Sequence, residues 1–69
     1  MPKFIAPIRS PKNPEEQVKK TLSRSRVSYR GEDEGLHYFT IETSLPRIEI
    51  ISLLTRDFGF AVGSVREIK

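Results

Sequence analysis

The sequence predicts an α+β protein, with a small antiparallel sheet and two helices on one face, in the ferredoxin-like order βαββαβ. Two observations lead to this class. Four short apolar segments typical of strands and two segments with helical spacing follow one another in that order. The chain has 69 residues, which suits one domain with a small core, because such a domain buries only about 60% of its unfolded surface.

The first apolar segment is rich in proline, and four of the five prolines lie within the first fourteen residues. Proline lacks a backbone N–H and favours extended geometry in the preceding residue, so we expect an arm or, at most, an edge strand over 4–8. The predicted division is therefore an extended segment of residues 1–12 and one α+β domain of residues 13–69. The apolar residues of the arm that we expect to anchor a partner are Phe4, Ile5 and Ile8.

A helix is predicted to follow directly. Asn13 is a suitable N-cap, Pro14 fits the first helical position, and Glu16 completes an analogue of the capping box. Only Val18 and Leu22 form an apolar stripe, so the helix should contact the sheet narrowly and leave its cations in water.

Two strands around an acidic turn are predicted next. RVSYR and LHYFTIET have strand character, and GEDEG between them contains Gly31 and Gly35, which are typical turn residues. In the second strand His37, Phe39 and Ile41 point to one side. We expect the side of Phe39 and Ile41 to be buried.

The second helix has the broader apolar stripe. Ser44 is the expected N-cap, Pro46 fits the first turn, and Gly59 should end the helix. The stripe consists of Ile48, Ile51, Leu54 and Phe58, with Ile50 and Leu53 beside them.

FAVGSVREI predicts the last strand, with Phe60 in the core. Val62 and Val65 fall on opposite faces of a regular strand, so we expect a bulge at Gly63.

Charge is distributed unevenly along the chain. Residues 1–30 carry eight Lys/Arg and two Glu, whereas residues 31–69 carry four Lys/Arg and seven Asp/Glu. Such asymmetry indicates a basic surface for an acidic partner, although folding that interleaves the halves would cancel it. The stretch KKTLSRSRVSYR is the most basic. The binding residues predicted from it are Lys19, Lys20, Arg24, Arg26, Tyr29 and Arg30.

Catalytic and cofactor chemistry finds little support in the sequence. Cysteine is absent, and His37 is the only histidine, so neither a thiolate metal site nor a base for a nucleophile can be assembled. We expect no enzyme activity, no metal and no cofactor, and a structural role for His37. The start of the chain lacks a secretory signal, which predicts a cytoplasmic protein without membrane insertion, associated with a membrane only through a larger complex.

Two kinds of partner stay open, beside the simpler interpretation that the cations form a solvated surface. An acidic protein assembly would be met by the cations and the arm. Alternatively, a single-stranded nucleic acid would be held by the cations, with Tyr29 or Tyr38 stacked on a base, as in a small phage- or plasmid-borne regulator. The sheet has no aromatic signature of the common RNA-binding type.

The stretch YFTIETSLPRIEIISLLTRDFGFAVGSVREI, residues 38–68, resembles the carboxy-terminal unit of the small phycobilisome linkers (the CpcD-like family). The matching residues are Leu54, Thr55, Arg56, Gly59 and 62–67. This resemblance implies a short, basic, non-catalytic adaptor that docks on acidic phycobiliprotein discs. Phe60 stands where a second glycine is usual, and the amino-terminal half has no match.

Overall fold

The computed structural model of the chain describes residues 1–68, so Lys69, the last residue of the predicted domain, lies outside the described residues. No helix among them is long and apolar enough to cross a membrane. The elements are β1 (Lys3–Arg9), α1 (Glu15–Thr21), β2 (Arg26–Asp33), β3 (Leu36–Glu42), α2 (Arg47–Phe58), a 3₁₀ turn (Gly59–Ala61) and β4 (Arg66–Ile68).

The four strands form one antiparallel sheet in the order β2-β3-β1-β4. The central strands β1 and β3 pair along their whole length, from Lys3 with Glu42 to Arg9 with Leu36. This confirms the predicted α+β class, with a small antiparallel sheet and two helices. A ferredoxin-like fold also requires a particular handedness of both helical connections, and that finer assignment stays a prediction.

The core lies between one face of the sheet and the two helices. Its buried pairs across the central strands are Phe4 with Ile41, Ala6 with Phe39 and Ile8 with His37. The helical segments cover these pairs with Val18, Leu22, Ile50 and Leu54, which are also buried in the same cluster. Both helices therefore lie on one face, as the sequence predicts.

The first strand is interior to the sheet, so the prediction of an arm or edge strand is wrong. β1 is bonded to β3 on one side and, over Lys3–Ile5, to β4 on the other. Phe4 is only 4% exposed and Ile8 is 0% exposed, so neither is free to anchor a partner. The proline content was misleading because proline disrupts a strand only where its missing donor faces a paired neighbour.

Pro7 is tolerated within β1 because its nitrogen faces an irregular part of the sheet. The nitrogen and carbonyl oxygen of a strand residue point to the same side. The Pro7 oxygen accepts a hydrogen bond from Gly63 N at 2.8 Å, so the Pro7 nitrogen also faces the segment before β4. Regular pairing of that segment with β1 resumes only at Arg66, so the missing donor interrupts no regular ladder.

Helix α1 is present where the sequence predicts it, but it begins at Glu15, and its N-cap position is Pro14 and not the predicted Asn13. Asn13 Oδ1 still accepts a hydrogen bond from Glu15 N at 2.9 Å, just before the first turn. Lys19 Nζ lies 2.9 Å from Glu15 Oε2, an exposed pair that contributes about 0.3–0.5 kcal/mol. Val18 and Leu22 are buried, which confirms the narrow apolar contact.

β2 and β3 form the predicted hairpin, but its turn is shorter than GEDEG suggests. β2 continues to Asp33, and the loop consists of Glu34 and Gly35, both with positive φ (52° and 81°). This is the geometry of a two-residue type I′ turn. Gly31, with φ of 120°, instead occupies a bulge that shifts the register after Tyr29.

Helix α2 places most of the predicted stripe in or against the core, and Ile48 is the exception. Ile50 and Leu54 are buried, whereas Ile48 is 71% exposed and therefore outside the core. Residues two apart lie about 200° apart around a helix, so Ile48 and Ile50 cannot face the sheet together. Gly59 ends the helix with φ of 61°, as predicted.

The start of α2 also differs from the prediction. Ser44 does not cap it, because the helix begins at Arg47 and the preceding Pro46 has extended geometry. The hydroxyl of Thr43 acts nearby: its Oγ1 accepts hydrogen bonds from Leu45 N at 3.1 Å and from the Ser25 hydroxyl at 2.8 Å.

The last apolar segment is only partly a strand. Phe60 lies in the 3₁₀ turn and is fully exposed, so the prediction that it joins the core is wrong. Gly59 redirects the chain, after which Ala61 and Val62 pack against the core instead.

The predicted irregularity around Gly63 is present. Val62 and Val65 both contact the helical side because the pairing with β1 gains one residue between them. Arg47 Nε donates a hydrogen bond to Val65 O at 2.6 Å, which ties this segment to α2. The pairs on either side of the irregularity are Ile8 with Val62 and Ile5 with Arg66.

The interior position of β1 is tested by matched isoleucine substitutions. We expect Ile8→Ala to lower the free energy of unfolding by about 2–5 kcal/mol, because it leaves a cavity in the core. Ile48→Ala, at an exposed position, should change it by about 0.5 kcal/mol or less. Thermal and urea melting measure both. Equally small losses of stability in both variants would indicate that β1 lies at the periphery of the fold.

The close approach of Gly63 to Pro7 is tested by a double-mutant cycle. A Cβ at Gly63 would lie 2.8 Å from Pro7 Cγ, so Gly63→Ala should destabilise by about 1–3 kcal/mol. Pro7→Ala removes Cγ, so the double variant should lose less stability than the sum of the single losses. Additive losses in urea melting would contradict a steric origin.

Helices α1 and α2 are joined by a hydrogen bond between a hydroxyl and a carboxylate. The Thr21 hydroxyl donates to Asp57 Oδ2 at 2.5 Å, and Arg56 Nε donates to Asp57 Oδ1 at 3.2 Å. These two hydrogen bonds lower the pKa of Asp57 from its ordinary 3.8, and the bond from Thr21 has the larger effect. The same hydroxyl lies 2.9 Å from Gln17 O, and its one proton serves one acceptor at a time.

Since the folded protein has the lower Asp57 pKa, the resulting stability is present above the unfolded pKa and is lost as pH falls through the folded one. Thr21→Val should therefore be less stable than wild type at neutral pH, and the difference should shrink in acid. Urea melting across this range measures it, with the exposed Thr55→Val as control. A difference that persists in acid would assign the loss to packing.

Candidate docking surface

The sheet face opposite the helices is not covered by any helix of residues 1–68, and we call it the open face. Its side chains belong to the strand positions that alternate with the buried ones. Across the sheet they form four rows: Arg26, Glu42, Lys3 and Ile68; Ser28, Thr40, Ile5 and Arg66; Tyr38 and Pro7; and Asp33, Leu36 and Arg9.

Excess positive charge lies on the open face. Its charged side chains are four cations (Lys3, Arg9, Arg26 and Arg66) and two carboxylates (Asp33 and Glu42). The rest of residues 1–68, with the bulge residue Arg30 counted there, carries seven cations and seven carboxylates. The net charge of the described side chains is therefore that of the open face.

Apolar side chains occupy the middle of this charged face. Ile5, Pro7, Leu36 and Tyr38 are half-buried without belonging to the core, and Ile68 at the edge is 39% exposed. A shallow depression of about 300 Å³ is lined by Ile5, Pro7, Tyr38, Ser64 and Arg66. The open face thus combines an apolar centre with a cationic rim, a composition suited to binding.

The predicted basic stretch does not form a single surface. Lys19 and Lys20 are exposed on α1, on the helical side, while Arg26 lies on the open face. Arg30 is exposed in the bulge of β2. Arg24 lines a second depression, of about 260 Å³, together with Thr21, Leu22, Ser23, Leu45 and Leu53.

Of the three predicted apolar anchors, only Ile5 lies on an accessible surface. Its side chain alternates with those of Phe4 and Ala6, which face the helices. Phe4 and Ile8 are part of the core, so they stabilise the fold and are not exposed to a partner.

Tyr29 is engaged inside the protein. Its hydroxyl lies 2.9 Å from His37 Nδ1, and its ring packs on Phe39 with a centroid distance of 5.3 Å. His37 Nε2 lies 3.1 Å from Ser10 O, which only accepts, so Nε2 carries the proton and Nδ1 accepts from Tyr29. These bonds satisfy a buried histidine, in agreement with its expected structural role, and Tyr29 is not available for stacking.

Sequence reasoning missed most of the depression. The sequence predicts Pro7 only as a strand breaker, and it places Ser64 and Arg66 in a bulged last strand without a role in binding. The usable signal was the alternation in LHYFTIET, which places Tyr38 opposite to Phe39. Because both helices are predicted on the face of Phe39, that alternation places the Tyr38 ring on the uncovered face of this sheet.

Comparisons with known proteins add no relationship. No family model, no curated protein and no solved structure matches this chain. Within the part of the chain that the structure describes, no group of three His, Cys, Asp or Glu side chains could hold a metal ion.

The different roles of the two tyrosines are tested by one chemical change. Tyr29→Phe leaves the buried Nδ1 of His37 without its donor, so we expect a loss of about 1–3 kcal/mol in the free energy of unfolding. Tyr38→Phe, on the open face, should change stability by about 0.5 kcal/mol or less. Urea melting decides, and the reverse order would invalidate the assignment of faces.

Proposed function

We propose that this chain is a non-catalytic basic adaptor that docks on an acidic protein surface through the open face of its sheet. The observation that carries this proposal is the coincidence of the excess positive charge with half-buried apolar residues on the one uncovered face of the sheet. Charge of this kind steers a partner and fixes its orientation, while the apolar centre supplies contact area.

The proposal differs from the sequence prediction in where the partner binds. The predicted cations of α1 face away from the open face, and the predicted arm is a core strand. Only Ile5 and Arg26 of the predicted binding residues lie on the open face. The surface is instead completed by Lys3, Arg66 and Tyr38.

A second candidate function is binding of single-stranded nucleic acid by the same face. The observation that favours it is Tyr38, an aromatic ring placed among cations on an open sheet, where a base could stack. It is the second choice because Ile5, Pro7 and Leu36 beside it offer aliphatic contacts in place of further stacking rings.

The resemblance of residues 38–68 to the small phycobilisome linkers agrees with a non-catalytic adaptor for acidic discs. This family assignment stays a prediction. The proposal rests on the open face, and it holds for any acidic protein partner of matching shape.

Charge reversal on each side of the protein tests the docking surface. The double change Lys3→Glu and Arg26→Glu should abolish binding of a fluorescein-labelled glutamate-rich peptide, measured by anisotropy. The matched change Lys19→Glu and Lys20→Glu alters the charge equally on the helical side, and it should preserve binding. Wild-type affinity should fall as salt rises, because both cations are exposed.

Three outcomes would contradict the proposal. Equal loss in both double variants would indicate nonspecific attraction to net charge. Loss only on the helical side would restore the predicted basic stretch. Tighter binding of oligothymidylate than of the peptide, with a steep salt dependence, would favour the nucleic-acid function. Thermal melting of every variant serves as the control that each one is folded.

A further inference from the structure

The depression on the open face originates in the irregular segment before β4. Between the pairs of β1 with Val62 and with Arg66, the chain holds one extra residue and does not follow β1 as a strand. Pro7 offers no donor on this side, and Gly63 is held against its ring. The depression is therefore bounded by three strands and by this irregular segment, which a backbone hydrogen bond ties to Pro7.

Its lining divides into an apolar part and a polar part. Ile5, Pro7 and the ring of Tyr38 supply the apolar surface, and Ser64 and Arg66 supply the polar side. Arg66 lies directly opposite Ile5 in the register, so the polar and the apolar parts of the lining are neighbours.

Arg66 is available to an external carboxylate. The ion pairs within the described residues use the cations Lys3, Lys19 and Arg56. Arg66 is exposed on the short edge strand β4. Arginine binds carboxylates in a planar, bidentate manner, and a serine hydroxyl beside it can donate to the same group.

We propose that this depression is the anchor site for an acidic peptide segment of the partner, in which an aliphatic side chain is followed by a carboxylate. The aliphatic side chain packs on Ile5, Pro7 and Tyr38, and the carboxylate binds Arg66 and Ser64. This inference rests on the proposed function, which it deepens by naming the recognised chemistry. Charge complementarity selects the occupant, since the depression lies on the face that carries the excess positive charge.

The probe pair is a fluorescein-labelled peptide with leucine–glutamate repeats and a matched peptide with serine–glutamate repeats. Both have the same charge, and only the first offers aliphatic side chains. We expect the leucine peptide to bind about tenfold more tightly, because it buries apolar area in the depression. In ¹⁵N-labelled protein its amide shifts should cluster at Ile5, Tyr38, Ser64 and Arg66.

Arg66→Gln is the test variant and Arg24→Gln its matched control. Both changes remove one exposed arginine charge, but Arg24 lies at the other depression. Arg66→Gln should weaken the leucine peptide about tenfold, since a charge-assisted bond is lost, whereas Arg24→Gln should weaken it less than about twofold. Tyr38→Ser should reduce the preference for leucine over serine while leaving the serine peptide unaffected.

The outcomes separate this inference from the proposed function. If the two peptides bind equally and Arg66→Gln resembles Arg24→Gln, while Lys3→Glu with Arg26→Glu still abolishes binding, the face docks partners but the depression is not the anchor. If neither peptide binds, both ideas fail. If oligothymidylate binds with its shifts centred on Tyr38, the site belongs to nucleic acid and the acidic-peptide inference is overturned.

Discussion

The contact between Pro7 and Gly63 is the constraint on which much of the structure depends. The Gly63 N–H donates to the Pro7 oxygen, and the absence of a Gly63 side chain lets the two backbones approach. This contact lets a proline-bearing strand lie inside the sheet. With β1 inside, its alternating apolar residues complete the core, and the opposite positions of the same strand become the middle of the open face. One strand thus supplies both stability and the candidate binding surface.

The sequence predicted those features that depend on local chemistry. Gly35 lies in the hairpin turn, Gly59 ends α2, and Phe39 and Ile41 are buried. The two glycines adopt the positive φ that a hairpin turn and a helix end require, and strand alternation places the two apolar side chains on one side. The α+β class followed from the order of these elements, so local signals were sufficient for it.

The features that were predicted wrongly depend on non-local pairing. No local rule shows which side of Pro7 faces a neighbouring strand, so β1 was expected at the periphery. The choice between Ile48 and Ile50 as inward residues depends on how α2 sits on the sheet, which its apolar pattern leaves open. The predicted basic stretch does not form one surface for the same reason: the chain from Lys19 to Arg30 passes from a helix to a strand, and its cations lie on different sides of the molecule.

The bulge in β2 affects how readily this edge of the sheet can pair with another chain. β2 is an edge strand of eight residues, and a long, regular edge invites pairing with another chain. Gly31 breaks its regularity after Tyr29, and charged side chains on both sides of the break, from Arg26 to Asp33, make edge-to-edge pairing unfavourable. This edge therefore disfavours backbone pairing between sheets, so the contacts open to this small protein are those that its partly apolar open face makes through side chains.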